Sequence, residues 1–144
     1  MIRNLYVSSS SKKISKKQVH KLVGLLREDL VYSIETLVIN FIDSGSIQKI
    51  NKDYLNHNYS TDIITFNYSG SNLAFDGEIF ISIDDAKLNA QKYKVSLSKE
   101  LKRLIIHGIL HFKGYDDVNS KQRTKMKKKE NYLLNKYNFT LLRS

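Results

Sequence analysis

The stretch from Leu101 to Phe112, LKRLIIHGILHF, constrains the fold more than any other part of the chain. Leu101, Leu104, Ile105, Ile106, Ile109, Leu110 and Phe112 make a helix over this stretch apolar on nearly every side. Such a helix cannot lie on a surface and has to be covered by other elements. His107 and His111 therefore sit in or beside the core. A buried imidazole without partners costs on the order of 1–3 kcal/mol, so both rings need something to satisfy them.

Their i, i+4 spacing puts both rings on one helix face, within reach of one ion, as in two-histidine zinc helices. Gly114, three residues after His111, lets the chain reverse, and Asp117, six after it, can then supply a third ligand. The pattern H-x3-H-x2-G-x2-D has the spacing of the extended zincin signature, with Asp at the last position. A carboxylate is an acceptable zinc ligand, and three protein ligands leave the open position of a catalytic site. Two satisfied core histidines before an acidic turn are the alternative reading, and the joint spacing favours the metal site. The chain has no cysteine, so disulfides are excluded and a metal can draw only on His, Asp or Glu.

Gly108 occupies the position after the first histidine, where a metallopeptidase helix carries its general-base Glu. That argues against peptide hydrolysis. RNA cleavage can do without this residue, because the 2′-hydroxyl is an internal nucleophile, or water attacks while a metal stabilises charge on the phosphate.

The rest of the chain supplies the covering elements. IRNLYVS reads as a first strand, and Ser15 with Gln18 as a capping box opening a helix striped by Val19, Leu22, Val23, Leu26 and Leu30. IETLVINFI is a β-rich run. Ser44 is expected to open a second helix through about Asn56, with Ile47, Ile50 and Leu55 on its inner face. TDIITFNYS and GEIFISI read as two further strands joined by SGSNLAFDG. Asp84 is expected to cap the helix DAKLNAQKYKV, Ser96 or Ser98 the histidine helix, and Asn119 with Gln122 a last helix to about Tyr137. FTLLR reads as a tail or strand. No repeat or linker divides residues 1–144, which predict one α+β domain, a small mixed sheet covered by helices.

Charge is unevenly distributed. Met1–Asp29 holds seven Lys/Arg against two acids, Leu30–Val118 nine against eleven, and Asn119–Ser144 eight against one. Cationic ends around a mildly acidic centre suit a polyanion, nucleic acid first, although a solvated surface carries such charge too. Lys12, Lys13, Lys16, Lys17 and Lys21 crowd the start of the first helix, where the dipole disfavours cations, which favours a binding role. No secretory signal is read at Met1–Val7, since only SSSSKK follows, and apolar runs such as that around Leu37–Ile42 are too short to span a bilayer. A soluble, cytoplasmic protein is the expectation. His20 reads as a surface residue.

HGILHFKGYDD resembles the H-G-x-L-H-x-x-G-Y-D-H signature of the bacterial YbeY-type rRNA maturation factors, endoribonucleases with a zincin-like fold. INKDYLNHNYSTDIITFNY resembles their L-N-x-x-Y…T-D-V-L-S-F block, and GEIFIS their G-D-I-x-I-S strand. The resemblance runs in order from about Asn40 to the last helix. It implies a single-strand-specific endoribonuclease acting in 16S rRNA 3′-end maturation and ribosome quality control, with one zinc on His107, His111 and Asp117. Ribosomal subunits or proteins would be its partners.

Two positions depart from the family pattern: Asp117 replaces the third His, and Leu55 replaces an Arg that would suit a phosphate. Asp62, Glu78, Asp116 and His57 are candidates for the catalytic or supporting role, with His57 or a lysine as a substitute for the missing Arg. Tyr54, Tyr59 and Tyr68 could stack bases or simply fill a half-buried sheet. A non-catalytic RNA-binding assembly factor with a structural metal is the alternative.

Overall fold

The structure, a computed structural model, describes residues 1–143. Four strands and five helices follow the order read from the sequence: β1 (Leu5–Ser9), α1 (Lys16–Leu30), β2 (Ser33–Ile42), α2 (Ser44–Leu55), β3 (Ile63–Asn67), β4 (Ala74–Ser82), α3 (Ile83–Tyr93), α4 (Leu97–Phe112) and α5 (Ser120–Lys136). The sheet order is β1-β2-β4-β3. β1, β2 and β4 run parallel, while β3 pairs antiparallel to β4 and forms one edge. The fold is α+β with a mixed sheet, as expected.

Side chains alternate across the sheet. Leu37, Ile39 and Phe41 of β2, with Ile79 and Ile81 of β4, are fully buried in one cluster with the α1 stripe Val19, Leu22, Val23 and Leu26 and with α4. On the opposite face α2 buries Ile47 and sets Tyr54 edge-on to Phe66, with ring centroids 6.0 Å apart.

α4 is buried on nearly every side, as its composition demands. β3, β4, α3 and α5 all pack against it, and each covered Leu or Ile contributes roughly 1.5–3 kcal/mol relative to exposure. Gly108 is a point of close approach between helix and sheet. A Cβ there would lie 3.1 Å from Ile79 Cδ1, 3.2 Å from Ile63 Cδ1 and 3.4 Å from Thr65 Cγ2. The position that would carry a metallopeptidase's Glu is thus pressed against apolar sheet residues, and a carboxylate has no room or solvent there.

Several caps differ from expectation by one or two residues. Asp43, not Ser44, caps α2, its Oδ1 accepting from the Ser46 N–H at 2.7 Å. Ser82, not Asp84, caps α3, accepting from the Asp85 N–H at 3.1 Å. In each case the residue with extended backbone takes the cap, as N-cap geometry requires. Asp84 instead accepts from the Ser44 N–H at 2.9 Å, so it supports the start of the neighbouring helix. Leu55 is 43% exposed, and Asn51 takes the inward position of α2, donating to the Tyr59 carbonyl at 2.9 Å. Ser96 is the cap of α4. Ser98 accepts from the Leu141 N–H at 2.8 Å instead.

The tail forms one isolated antiparallel bridge, Ile14 to Leu142, in place of a strand. It is tied down by Ser15 N–H donating to Leu141 O at 2.8 Å and Arg143 N–H to Lys13 O at 2.7 Å. Lys102 is buried, unforeseen in a sequence where lysines mark surface. Its Nζ donates to the carbonyl of Tyr137, which ends α5, at 2.9 Å. Phe139 lies near Lys102 and 4.4 Å from Lys21 Nζ. Lys102→Met keeps the volume but leaves the Tyr137 carbonyl unpaired, so urea unfolding is expected to show a loss of about 1–3 kcal/mol.

Candidate metal centre

His107 and His111 project from the same face of α4 with Nε2 atoms 3.1 Å apart and rings nearly perpendicular at 81°. Past the helix the chain reverses at Gly114, whose φ of 103° suits glycine. The reversal is closed by Gly114 N–H to His111 O and Tyr115 N–H to Leu110 O, each 3.0 Å. Asp117 then comes back over the histidines, its Oδ2 3.7 Å from each Nε2. Asp116 does not join them. Its Oδ1 accepts from the Asp117 N–H at 2.8 Å and holds the turn.

The three donor atoms suit one small dication. A tetrahedral ion with bonds near 2.0–2.1 Å has ligand atoms about 3.3 Å apart, close to the separations of 3.1, 3.7 and 3.7 Å. The donors come from one side, and the Asp117 side chain is 46% exposed, so the outer side of the group is open. Burial, then the neighbouring His107, pushes the His111 pKa below its ordinary value, which keeps this ring neutral and able to ligate at neutral pH.

Behind the histidines lies a buried charged network that the sequence did not announce. Glu130 of α5, 5% exposed, takes His107 Nδ1 on its Oε2 at 2.8 Å. With Nδ1–H donating there, the Nε2 lone pair faces His111 and Asp117, the orientation a metal-ligating histidine needs. Arg103, one helical turn before His107, donates to Glu130 at 3.2 Å and to Glu100 at 2.8 and 2.6 Å. Asn89 of α3 donates to both Glu100 and Asp62, at 3.2 and 3.1 Å. Asp62, just before β3, lies 3.8 Å from Arg103, and burial raises its pKa against the pull of that guanidinium. Asp62 is therefore joined to the histidine helix.

Glu130 had a faint signal: it is the lone acid among the cations of α5, on the inner stripe with Met126, Leu133 and Leu134.

Glu78 and His57 make other contacts. Glu78 faces the sheet side opposite α4, accepting from Tyr68 OH at 3.0 Å and Asn40 Nδ2 at 3.4 Å. His57 Nδ1 pairs with Tyr59 OH at 2.9 Å in the exposed loop after α2. His20 is half-buried and accepts from the Ile2 N–H at 3.1 Å.

Residues 4–138 match the family model of endoribonuclease YbeY. The chain belongs to the YbeY endoribonuclease family. An endoribonuclease YbeY of Chlorobium limicola is 42% identical over 106 residues, covering 74% of this chain and 73% of its own. One from Chlorobium phaeobacteroides is 35% identical over 131 residues, covering 90% of this chain and 91% of its own. The fold resembles the solution structure of a Thermotoga maritima protein, with TM-score 0.67 and 23% identity over 90% of this chain and 86% of that one.

In this chain two imidazoles and one carboxylate make a donor set that could hold a metal ion. Asp117 reaches both rings because a carboxylate on the Gly114 turn can approach them from outside. Two outcomes are expected of chelator-competition titrations. Glu130→Gln weakens metal binding roughly 10- to 100-fold with the fold retained by circular dichroism. Metal retained at pH 7 is released as pH falls through the lowered His111 pKa, where protonation of that ring competes. Since the His111 pKa is lowered, neutral-ring stabilisation is fully present above the ordinary value of 6.5 and is lost as pH falls from there through the lowered folded value.

Proposed function

We propose that this chain is a metal-dependent endoribonuclease that cuts single-stranded RNA in rRNA processing, including 16S rRNA 3′-end maturation, and serves ribosome quality control. One zinc held by His107, His111 and Asp117 is the cofactor of this reading. The carrying observation is the open three-donor group at the mouth of a cleft between α4 and α5 that Arg123 and Lys127 also line. The matched relatives bear the endoribonuclease name, which agrees with that geometry.

A dication in this group supplies a Lewis acid for a phosphate oxygen and lowers the pKa of water. The chain's own residues do the rest. Glu130 holds the His107 tautomer, Arg103 holds Glu130 and Glu100 in place by hydrogen bonds, and the Gly114 turn delivers Asp117. Of the catalytic candidates, Asp62 is the one tied by hydrogen bonds and charge to the histidine helix, and its raised pKa suits a proton carrier. Exposed lysines on α1 and α5 draw in the polyanion. No helix is long and apolar enough to cross a membrane among the described residues, and a cytoplasmic site of action is part of this proposal.

The test sets wild type beside His111→Ala, on single-stranded RNA and on casein, with and without chelator. RNA cleavage is expected to need metal, to fall at least a hundredfold in His111→Ala, and to leave casein intact. Binding should weaken steeply with salt. RNA bound but uncut by metal-loaded wild type would assign the chain to non-catalytic assembly with a structural metal. Cleavage unchanged in His111→Ala would sink the metal-centre mechanism.

A further inference from the structure

We propose that the cleft between α4 and α5 is a nucleotide subsite, taking the base and phosphate of one RNA residue beside the bond to be cut. This rests on the endoribonuclease reading. The cleft has a volume of about 460 Å³ and shares His107 and Asp117 with the metal centre. That volume falls within the roughly 300–1,000 Å³ of small-ligand pockets. Its contents divide by chemistry. Met126 and Leu134, 2% and 8% exposed, form an apolar floor that a phosphate or a metal ion alone would not need. Tyr93, 60% exposed, stands at the rim and presents a ring to an incoming base.

Cations stand on the same wall. Arg123 and Lys127 are one turn apart on α5 and so project to one side. Among the described residues neither forms an ion pair. Arg123 reaches only the carbonyls of Asp117 and Val118, both at 3.4 Å. These two side chains can meet a phosphate entering the cleft. Asn131, exposed on the same cleft, offers an amide that can donate to or accept from a base edge, which would give the subsite a base preference.

The experiment titrates full-length, metal-loaded protein with the four nucleoside 5′-monophosphates and with inorganic phosphate, then repeats the titrations on Tyr93→Ala and Lys127→Ala. Both substituted residues are exposed, so the fold should hold. Nucleotides are expected to bind at least tenfold tighter than phosphate. Tyr93→Ala should weaken the nucleotides roughly five- to hundredfold and leave phosphate unchanged. On single-stranded RNA the same variant should raise KM by that factor with kcat within threefold. Lys127→Ala should reduce the slope of log binding against log salt by about 0.7, and Lys49→Ala, on α2, should not. Equal affinity for phosphate and nucleotide, or variants indistinguishable from wild type on RNA that wild type cuts, would overturn the subsite. If wild type cuts no RNA, the endoribonuclease reading fails and the nucleotide titrations still decide the subsite.

Discussion

The burial of α4 is the constraint on which the other elements depend. A helix apolar on nearly every side is stable only when surrounded, and the chain packs β3, β4, α3 and α5 against it. Contact is close at Gly108, where the absence of a side chain lets the helix lie directly on Ile63, Thr65 and Ile79. The same contact sets the rotation of α4. With Gly108 against the sheet, His107 and His111 are turned toward α5 and the returning loop. Core packing thereby aims the histidines.

The buried charges are the cost of that arrangement and the means of its orientation. Glu100 and Glu130 are almost inaccessible, 2% and 5% exposed, and Arg103 pairs with both, at 2.6 and 3.2 Å. Once paired, they link four elements through directional bonds: Asn89 on α3, Glu100 and Arg103 on α4, Glu130 on α5 and Asp62 before β3. Hydrophobic contacts alone would tolerate small slides of α5 along α4. A carboxylate 2.8 Å from His107 Nδ1 tolerates much less. The candidate metal centre is therefore coupled to the position of α5, and the cleft beside it is walled by that same helix.

The element order and type were legible because each segment carries its own period: apolar alternation in IETLVINFI, a 3.6-residue stripe from Val19 to Leu26, an all-apolar run at α4. The grouping of His107, His111 and Asp117 was legible because, with Gly114, they lie within eleven residues, where local geometry controls spacing. Caps were harder. Asp43 beside Ser44 and Ser82 beside Asp84 offer competing side chains, and the choice falls to whichever residue has extended backbone. Leu55 and Asn51 exchange roles on α2 because the Tyr59 carbonyl needs a donor that leucine lacks. Lys102 reads as surface by type, and only the end of α5, 35 residues on, explains its burial. Glu78 stands one residue before the core residue Ile79, and that single step in a strand sends it to the other face of the sheet.

By itself the sequence determined what local periodicity and short spacing can determine. It established an α+β chain built around one buried helix, with two imidazoles and a carboxylate gathered at its end. Only the tertiary structure decided that Glu130 orients His107, that Asp62 connects to this network while Glu78 does not, and that a part-apolar, part-cationic cleft opens beside the donors. Those relations join residues up to tens of positions apart, and they depend on how helices pack against one another. Side-chain period along a single segment carries no record of that packing.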